Sequence, residues 1–536
     1  MLKAGSIAFA LLAAAVPAQA QTAPQGQDAV AAVQAGLGHY AEPAESALLP
    51  DIAMALTMRE PKDGLAAFDT LVARLDRPTP LRGIVQSMRA TLLSRVNRNT
   101  DALMAAEEAI RLAPGVPQVK LYAINAMVFS GAPQRAADLW MALSREYPSL
   151  AMMSGSYELD TMRERLRDLG DNKRADALSA RIAEMGMADQ TARRTSDGAL
   201  AQIRIYVEAG KIAEAGALVP SVLAPRDLVQ LYLDRRYEKL WPAIARWSGD
   251  DLSRSQKLYF EALRRDWRSG GSLDSATDYA RGLNSVRAYS AITDLFLPML
   301  APEALKFDDD GVEFITPVVA RGLLGQGKGD EAVALLKRVD AAYPYPDSAQ
   351  QLNFTGNLAE IYFTLGRYAE SSTTATAWLR SAQRKGAEIN KAALVGVEAV
   401  RACALIRGGK ADEAHGDVAD VLMSRIGLPD PAIEIYGCQD DFAGGKALLI
   451  ESLADESRRG WALRWLQPSS VNYPFEESRR IDRFQKRLAA DPDVRAAAEK
   501  VGRILPFTLT EKMPAGFDPA GPADLHAPEQ DAAPLS

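Results

Sequence analysis

Apolar residues recur three and four positions apart along most of the chain, which is the period of a helix that buries one face. The pattern shows in D-A-V-A-A-V-Q-A-G-L from Asp28, in D-I-A-M-A-L-T-M from Asp51, and in P-K-D-G-L-A-A-F-D-T-L-V-A-R-L from Pro61. It is sharpest in two phrases, A-L-M-A-A-E-E-A-I-R-L-A-P and A-A-D-L-W-M-A-L-S-R-E-Y-P, whose closing prolines Pro114 and Pro148 stand 34 residues apart. A period of that length marks a helix-turn-helix unit too small to bury its own apolar face. Such a unit must stack on copies of itself.

The turns share one grammar. A helix ends in glycine, a few mostly polar residues follow, and alanine or serine opens the next helix. The pairs are Gly131 and Ala136, Gly170 and Ala175, Gly210 and Ala215, Gly327 and Ala332, Gly366 and Ser371, and Gly409 and Ala414. Glycine ends a helix in the left-handed conformation that other residues resist. The small residue five positions later predicts a close crossing of the two helices, where a bulky side chain would force them apart. Spacings of 39, 40, 39 and 43 between turn glycines, with a longer gap from Gly210 to Gly327, predict long helices or inserted loops.

These residues resemble the tetratricopeptide repeat family, and in particular its exported bacterial members. The likeness is clearest at 83–148 and 313–424. It implies an all-α fold, a right-handed superhelical solenoid of antiparallel helix pairs with C-terminal capping helices and a disordered tail. The expected organisation is a signal peptide at 1–20, a loose N-terminus with a degenerate repeat at 21–80, and repeats at 81–224. Irregular aromatic-rich repeats follow at 225–312, then regular ones at 313–460, a cap at 461–510 and a disordered acidic tail at 511–536. Trp241, Trp247 and Trp267 in the irregular part either line a binding face or fill wider gaps between repeats. The second reading is favoured, because tryptophan is mostly buried.

Composition narrows the partners. The chain has 536 residues, 48% hydrophobic and 24% charged, as in ordinary globular proteins. A net charge of -7 without a basic block argues against nucleic acid. Lys3, the apolar run Ile7–Val16 and Ala18-Gln19-Ala20 have the form of a cleavable secretory signal, so the expected location is the periplasm. No later run is long and apolar enough to span a membrane. In an oxidising compartment Cys403 and Cys438, 35 residues apart, fall on corresponding helices of neighbouring repeats. Stacked helices about 8–10 Å apart leave a disulfide, which needs Cα atoms within about 7 Å, geometrically tight. A bridge and two small buried thiols are both open readings.

Catalytic signatures are missing from the sequence. His39, His415 and His526 have no metal-ligand spacing, and no P-loop, dinucleotide fingerprint or nucleophile elbow occurs. Gly408-Gly409 and Gly444-Gly445 read as helix turns. Asp308-Asp309-Asp310 with Gly311 is the most metal-like string, but consecutive carboxylates diverge. A cap for the helix beginning near Val312 explains it better. The expectation is therefore no catalytic residues, no metal and no cofactor.

In the resembled family the first helix of each pair lines a groove. About six residues before each turn glycine stand Asn125, Glu164, Arg204, Arg321 and Glu360, with Cys403 at the sixth match and Asn357 one turn before Glu360. The resemblance implies that these face a partner. The set mixes charges and does not reproduce a clamp for a terminal carboxylate. The leading expectation is a non-catalytic scaffold or adaptor binding another envelope protein. The alternatives are an all-helical hydrolase of peptidoglycan or polysaccharide, and a solenoid holding a polysaccharide chain on Trp and Tyr platforms.

Overall fold

A computed structural model describes residues 31–521 apart from 32, 34, 59–60, 97, 186–191, 306, 308–310, 346–347, 386–388, 470–472 and 510–511. The signal-like segment 1–20, the Asp308-Asp309-Asp310 string and residues 522–536 lie outside the described residues. Within them the chain is helical. Its one β-type pairing is an isolated antiparallel bridge between Asp234 and Gly502. The chain divides into two compact units, 1–187 and 188–536. That division falls inside the stretch 81–224, expected as one block of repeats.

Unit 1 contains α1 (Leu49–Thr57), α2 (Pro61–Arg74), α3 (Pro80–Arg95), α4 (Asn99–Leu112), α5 (Pro117–Phe129), α6 (Pro133–Glu146), α7 (Ser156–Asp168) and α8 (Asn172–Glu184). Proline opens α3, α5 and α6, where its missing N–H would have no intrahelical partner anyway. Helices α3/α4, α5/α6 and α7/α8 are the pairs, and the first helices α3, α5 and α7 pack in succession. Trp140 is fully buried among them and donates to the Ser154 hydroxyl at 3.0 Å.

Unit 2 opens with α9 (Ala192–Glu208), α10 (Ile212–Ala217), α11 (Pro225–Leu233) and α12 (Trp241–Ser248). Next come α13 (Ser253–Gly270), α14 (Leu273–Ser285) and α15 (Tyr289–Phe296). The regular pairs are α16 (Val312–Gly325) with α17 (Gly329–Ala342), α18 (Leu352–Thr364) with α19 (Tyr368–Lys385), α20 (Lys391–Arg407) with α21 (His415–Met423), and α22 (Pro429–Gln439) with α23 (Phe442–Ala454). The unit ends with α24 (Arg459–Trp465), α25 (Glu476–Ala490) and α26 (Pro492–Val501).

All six turn glycines adopt positive φ, between 74° and 93°. After each, the next N–H reaches back to a carbonyl five residues earlier, as in Ala132 to Met127 at 2.9 Å and Lys410 to Leu405 at 2.8 Å. This bond satisfies a carbonyl the helix end would otherwise orphan. Ala136, Ala175, Ala215, Ala332 and Ser371 are fully buried, and Ala414 nearly so. The structure adds two turns of the same kind without glycine. Arg287 and Asp440 take φ of 59° and 54°, and Ala288 and Asp441 make the same backward bonds to Leu283 and Tyr436. Five residues after Asp440 stands the small residue Gly445, against Phe484 and Leu488.

In unit 2 the segment 461–510 does more than cap the last helix pairs, because it also reaches the start of the unit. Helix α24 packs on α11, more than two hundred residues earlier. Arg503 lies between the rings of Tyr232 and Trp241, 3.9 Å from each centroid, and its backbone N–H donates to Leu233 O at 3.1 Å. A Cβ on Gly502 would sit 2.6 Å from Leu233 O, so only glycine permits this approach. The unit thus closes on itself, and one core runs from Ala199 through Cys403 to Leu509. Apolar surface at both ends of the segment is better buried by joining them than by capping each separately.

The tail also departs from expectation. Residues 512–521 are described, and Phe517 is buried in the core of α13–α18 while Met513 packs against it. Trp241, Trp247 and Trp267 are partly buried and packed on core clusters, the gap-filling reading. Cys403 and Cys438 form a disulfide with Cα atoms 5.5 Å apart.

Candidate interaction surface

The groove-facing candidates divide between the units, and each unit is a separate surface. In unit 1, Asn125 on α5 donates to Glu158 Oε2 on α7 at 3.2 Å. Glu158 is 7% exposed, and its Oε1 has no partner. Burial pushes its carboxyl up to about 7, and the Asn125 hydrogen bond opposes this only in part. Glu164, one helix face away, is exposed.

In unit 2 the first helices α16, α18, α20 and α22 pack in succession and bring one row of side chains together. Arg321 on α16 donates to Glu360 on α18 at 2.7 Å, with both side chains a little under half exposed. Attraction to Glu360 raises the Arg321 guanidinium despite its desolvation, and Glu434 adds to this. Asn357 bonds instead to the Asn353 carbonyl of its own helix at 2.7 Å. Arg204 on α9 donates to Gln230 on α11 at 3.4 Å. Cys403, at the sixth groove position, is buried in the disulfide and presents nothing to the surface.

The missing member of the row is Glu434 on α22. It stands six residues before Asp440, as Glu360 stands six before Gly366. The turn escaped the glycine pattern because aspartate also tolerates the left-handed conformation. Glu434 reaches water, yet desolvation, then Glu360 and Asp430, push its carboxyl up to about 8 against the pull of Arg321. The row lies along the water-facing wall formed by these first helices. Further along, Trp461 Nε1 donates to Asp430 at 2.7 Å. One turn later Arg464 is lowered to about 10 by burial and then by Arg226, with Asp430 and Asp227 opposing. Asp227 is pushed up to about 6 by burial and Asp197, with the Ser196 hydrogen bond and the Arg226 and Arg204 charges opposing.

This wall carries charges of both signs. It offers hydrogen bonds and charge to an incoming surface, and among the described residues no group of three or more His, Cys, Asp and Glu is arranged to hold a metal. No described helix is long and apolar enough to cross a membrane.

No family model matches the chain, and no curated protein matches it. Among solved structures the chain is similar to yeast Tom70, with 10% identity, a TM-score of 0.31, and coverage of 82% of this chain and 96% of that one. It is also similar to a structure of Naa15/Naa10 bound to HypK-THB, with 13% identity, a TM-score of 0.26, and coverage of 85% and 68%. The repeated helix pairs described above are read from this chain's own turns and packing.

Proposed function

We propose that the protein is an exported scaffold of the cell envelope that binds another envelope protein through the inner wall of unit 2. The observation that carries this reading is the row Arg321, Glu360 and Glu434. Three of the four first helices α16, α18, α20 and α22 supply one charge each at equivalent positions, accessible to water and partly desolvated, while α20 holds the buried Cys403 there. Charged groups held in that state add specificity to an interface, because a mismatched partner leaves them buried and unpaired. The periplasmic location rests on the signal-like first twenty residues.

The test is photo-cross-linking in intact cells from a reactive residue placed at Asn357, beside the row, followed by mass spectrometry. A single envelope protein recovered from Asn357 and not from exposed Lys173 is the expected result. N-terminal sequencing of the mature chain should begin at Gln21. A retained Met1 on a cytoplasmic protein would remove the envelope from the reading.

One observation favours a second reading. Glu434, held protonated near neutral pH, lies within electrostatic reach of Glu360, which is ion-paired with Arg321. A carboxyl that keeps its proton beside a second carboxyl group is the pairing a glycoside hydrolase uses. Release of soluble fragments from peptidoglycan by the purified protein, abolished by Glu434→Gln, would establish it. No release under conditions where cross-linking succeeds leaves the scaffold.

A further inference from the structure

The segment Met513–Gly521 lies on α13 and α14 in the manner of a bound peptide. Pro514, Phe517 and Gly521 are buried, while the residues between them are exposed or half-buried. Gly516, at φ 70°, turns the chain so that Phe517 enters. The Phe517 ring lies 5.5 Å from that of Phe260, with the Arg264 guanidinium 4.9 Å above it. Beneath are Trp267, Tyr279 and Phe296, with ring centroids 5.0 to 6.1 Å apart.

The polar contacts go to the segment's backbone. Arg264 Nη1 donates to Asp518 O at 2.5 Å, Tyr279 Oη to Pro519 O at 2.9 Å, and Arg268 Nη2 to Ala520 O at 3.4 Å. Burial raises the Tyr279 hydroxyl, so it keeps its proton and donates. Three donors on three successive carbonyls read the backbone of the turn at Asp518–Gly521, where Gly521 N–H returns to Asp518 O at 3.2 Å, rather than a particular side chain. Gly521 leaves room for Arg264, since a Cβ there would lie 2.9 Å from Nη1 and displace the guanidinium.

Arg264 makes the surface a site. It is 7% exposed, its Nε has no partner, and its Nη1 donates to the segment's own Asp518 carbonyl. With the segment lifted away, that bond is unmade and the Arg264 guanidinium faces the vacated surface. A chain that returns a carbonyl to it restores a charge-assisted hydrogen bond.

We propose that the α13–α14 face is a peptide-binding site, filled here by the chain's own segment Met513–Gly521. The partner it fits is a protein segment with an aromatic residue, a proline two positions later and small residues after it, turned as Asp518–Gly521 is turned. The resident segment holds the site until such a partner displaces it. This site is separate from the inner wall of unit 2, and its test does not involve the Arg321–Glu360 row.

The probe is a fluorescein-labelled synthetic peptide of residues 512–521, titrated by anisotropy against the full chain and the full chain with Phe517→Ala. A resident segment bound nine-tenths of the time lowers apparent affinity for a competitor about tenfold. The Phe517→Ala chain should therefore bind the peptide about tenfold more tightly than the native chain. Binding should fall when the peptide itself carries Ala at the Phe517 position, or when Arg264→Ala is added to the protein. A folded Phe517→Ala chain that takes up no peptide, or a native chain that binds it equally well, overturns the proposal. A second variant keeps the native segment and carries a protease site between Leu509 and Met513. After cleavage, a folded body that releases the fragment on dilution and rebinds the peptide supports the site. A body that unfolds on cleavage makes the segment part of the core and overturns it.

Discussion

Arg321 and Glu360 hold each other across two helix pairs, at 2.7 Å, in the row where a partner is expected to dock. Each is thus oriented before any partner arrives. Such pre-orientation lowers the ordering cost of binding, because two long side chains need not be fixed anew. It also means that the two charges cannot be altered independently.

Arg321→Glu alone should set three carboxylates together, with Glu360 and Glu434. Because the pair is half exposed, the loss in stability should stay within about 1 kcal/mol. Adding Glu360→Arg should restore the melting temperature, since the pair re-forms reversed. Partner recovery from envelope extract should fall in both variants. Normal recovery with the reversed pair would place the docking surface elsewhere.

Glu158 gives unit 1 a pH dependence. Its folded pKa, about 7, lies above the value of roughly 4.3 for a free glutamate, so its carboxyl favours the native state at low pH. That contribution is complete below the unfolded pKa and is lost as pH rises through 7. Glu158→Gln removes the titration and keeps an acceptor for Asn125. The variant should match the native protein at pH 4 and exceed it by about 1–3 kcal/mol at pH 8. Urea denaturation at the two pH values checks this, and an equal difference at both would rule out Glu158 as its source.

The buried crossing residues should resist enlargement. Ala136→Leu and Ala332→Leu should each cost about 1–3 kcal/mol through overpacking. Ala341→Leu, exposed on the same helix as Ala332, should change stability by less than about 0.5 kcal/mol. Thermal melts of the three variants decide it.

The Cys403–Cys438 bond closes a loop of 35 residues joining α20 to α22. A crosslink of that span stabilises by about 2–4 kcal/mol, chiefly by restricting the unfolded chain. Replacing both cysteines with alanine should lower the denaturation midpoint accordingly. A chain whose midpoint is indifferent to reducing agent would show the bond does not form.

The helix pairs were legible because their signals are local. Gly131 and Ala136 stand five residues apart, and both the positive φ and the buried crossing follow from identity at those positions. What escaped was either a substitution of equivalents or a long-range fact. Asp440 and Arg287 do the work of glycine without looking like it, so Glu434 went unnoticed although its offset from the turn is the same. Glu158 looks like any helix-surface glutamate until α5 covers it. The approach of Tyr232 to Arg503, and of Tyr279 to Pro519, depends on where distant segments end up, and helical periodicity carries no such distance. The acidic, proline-rich composition after Lys512 pointed to disorder because composition averages over residues, and the single aromatic Phe517 decides that its first part docks.

The join between α11 and α24 bears on how freely unit 2 could gain or lose a helix pair. An open row of repeats tolerates one more or one fewer, since only the neighbours at the splice must match. In unit 2 the Arg503 guanidinium must come back to Tyr232 and Trp241 across all the helix pairs that lie between them in the chain. Duplicating or deleting one of those pairs is expected to disturb that join, a cost that an open row does not carry.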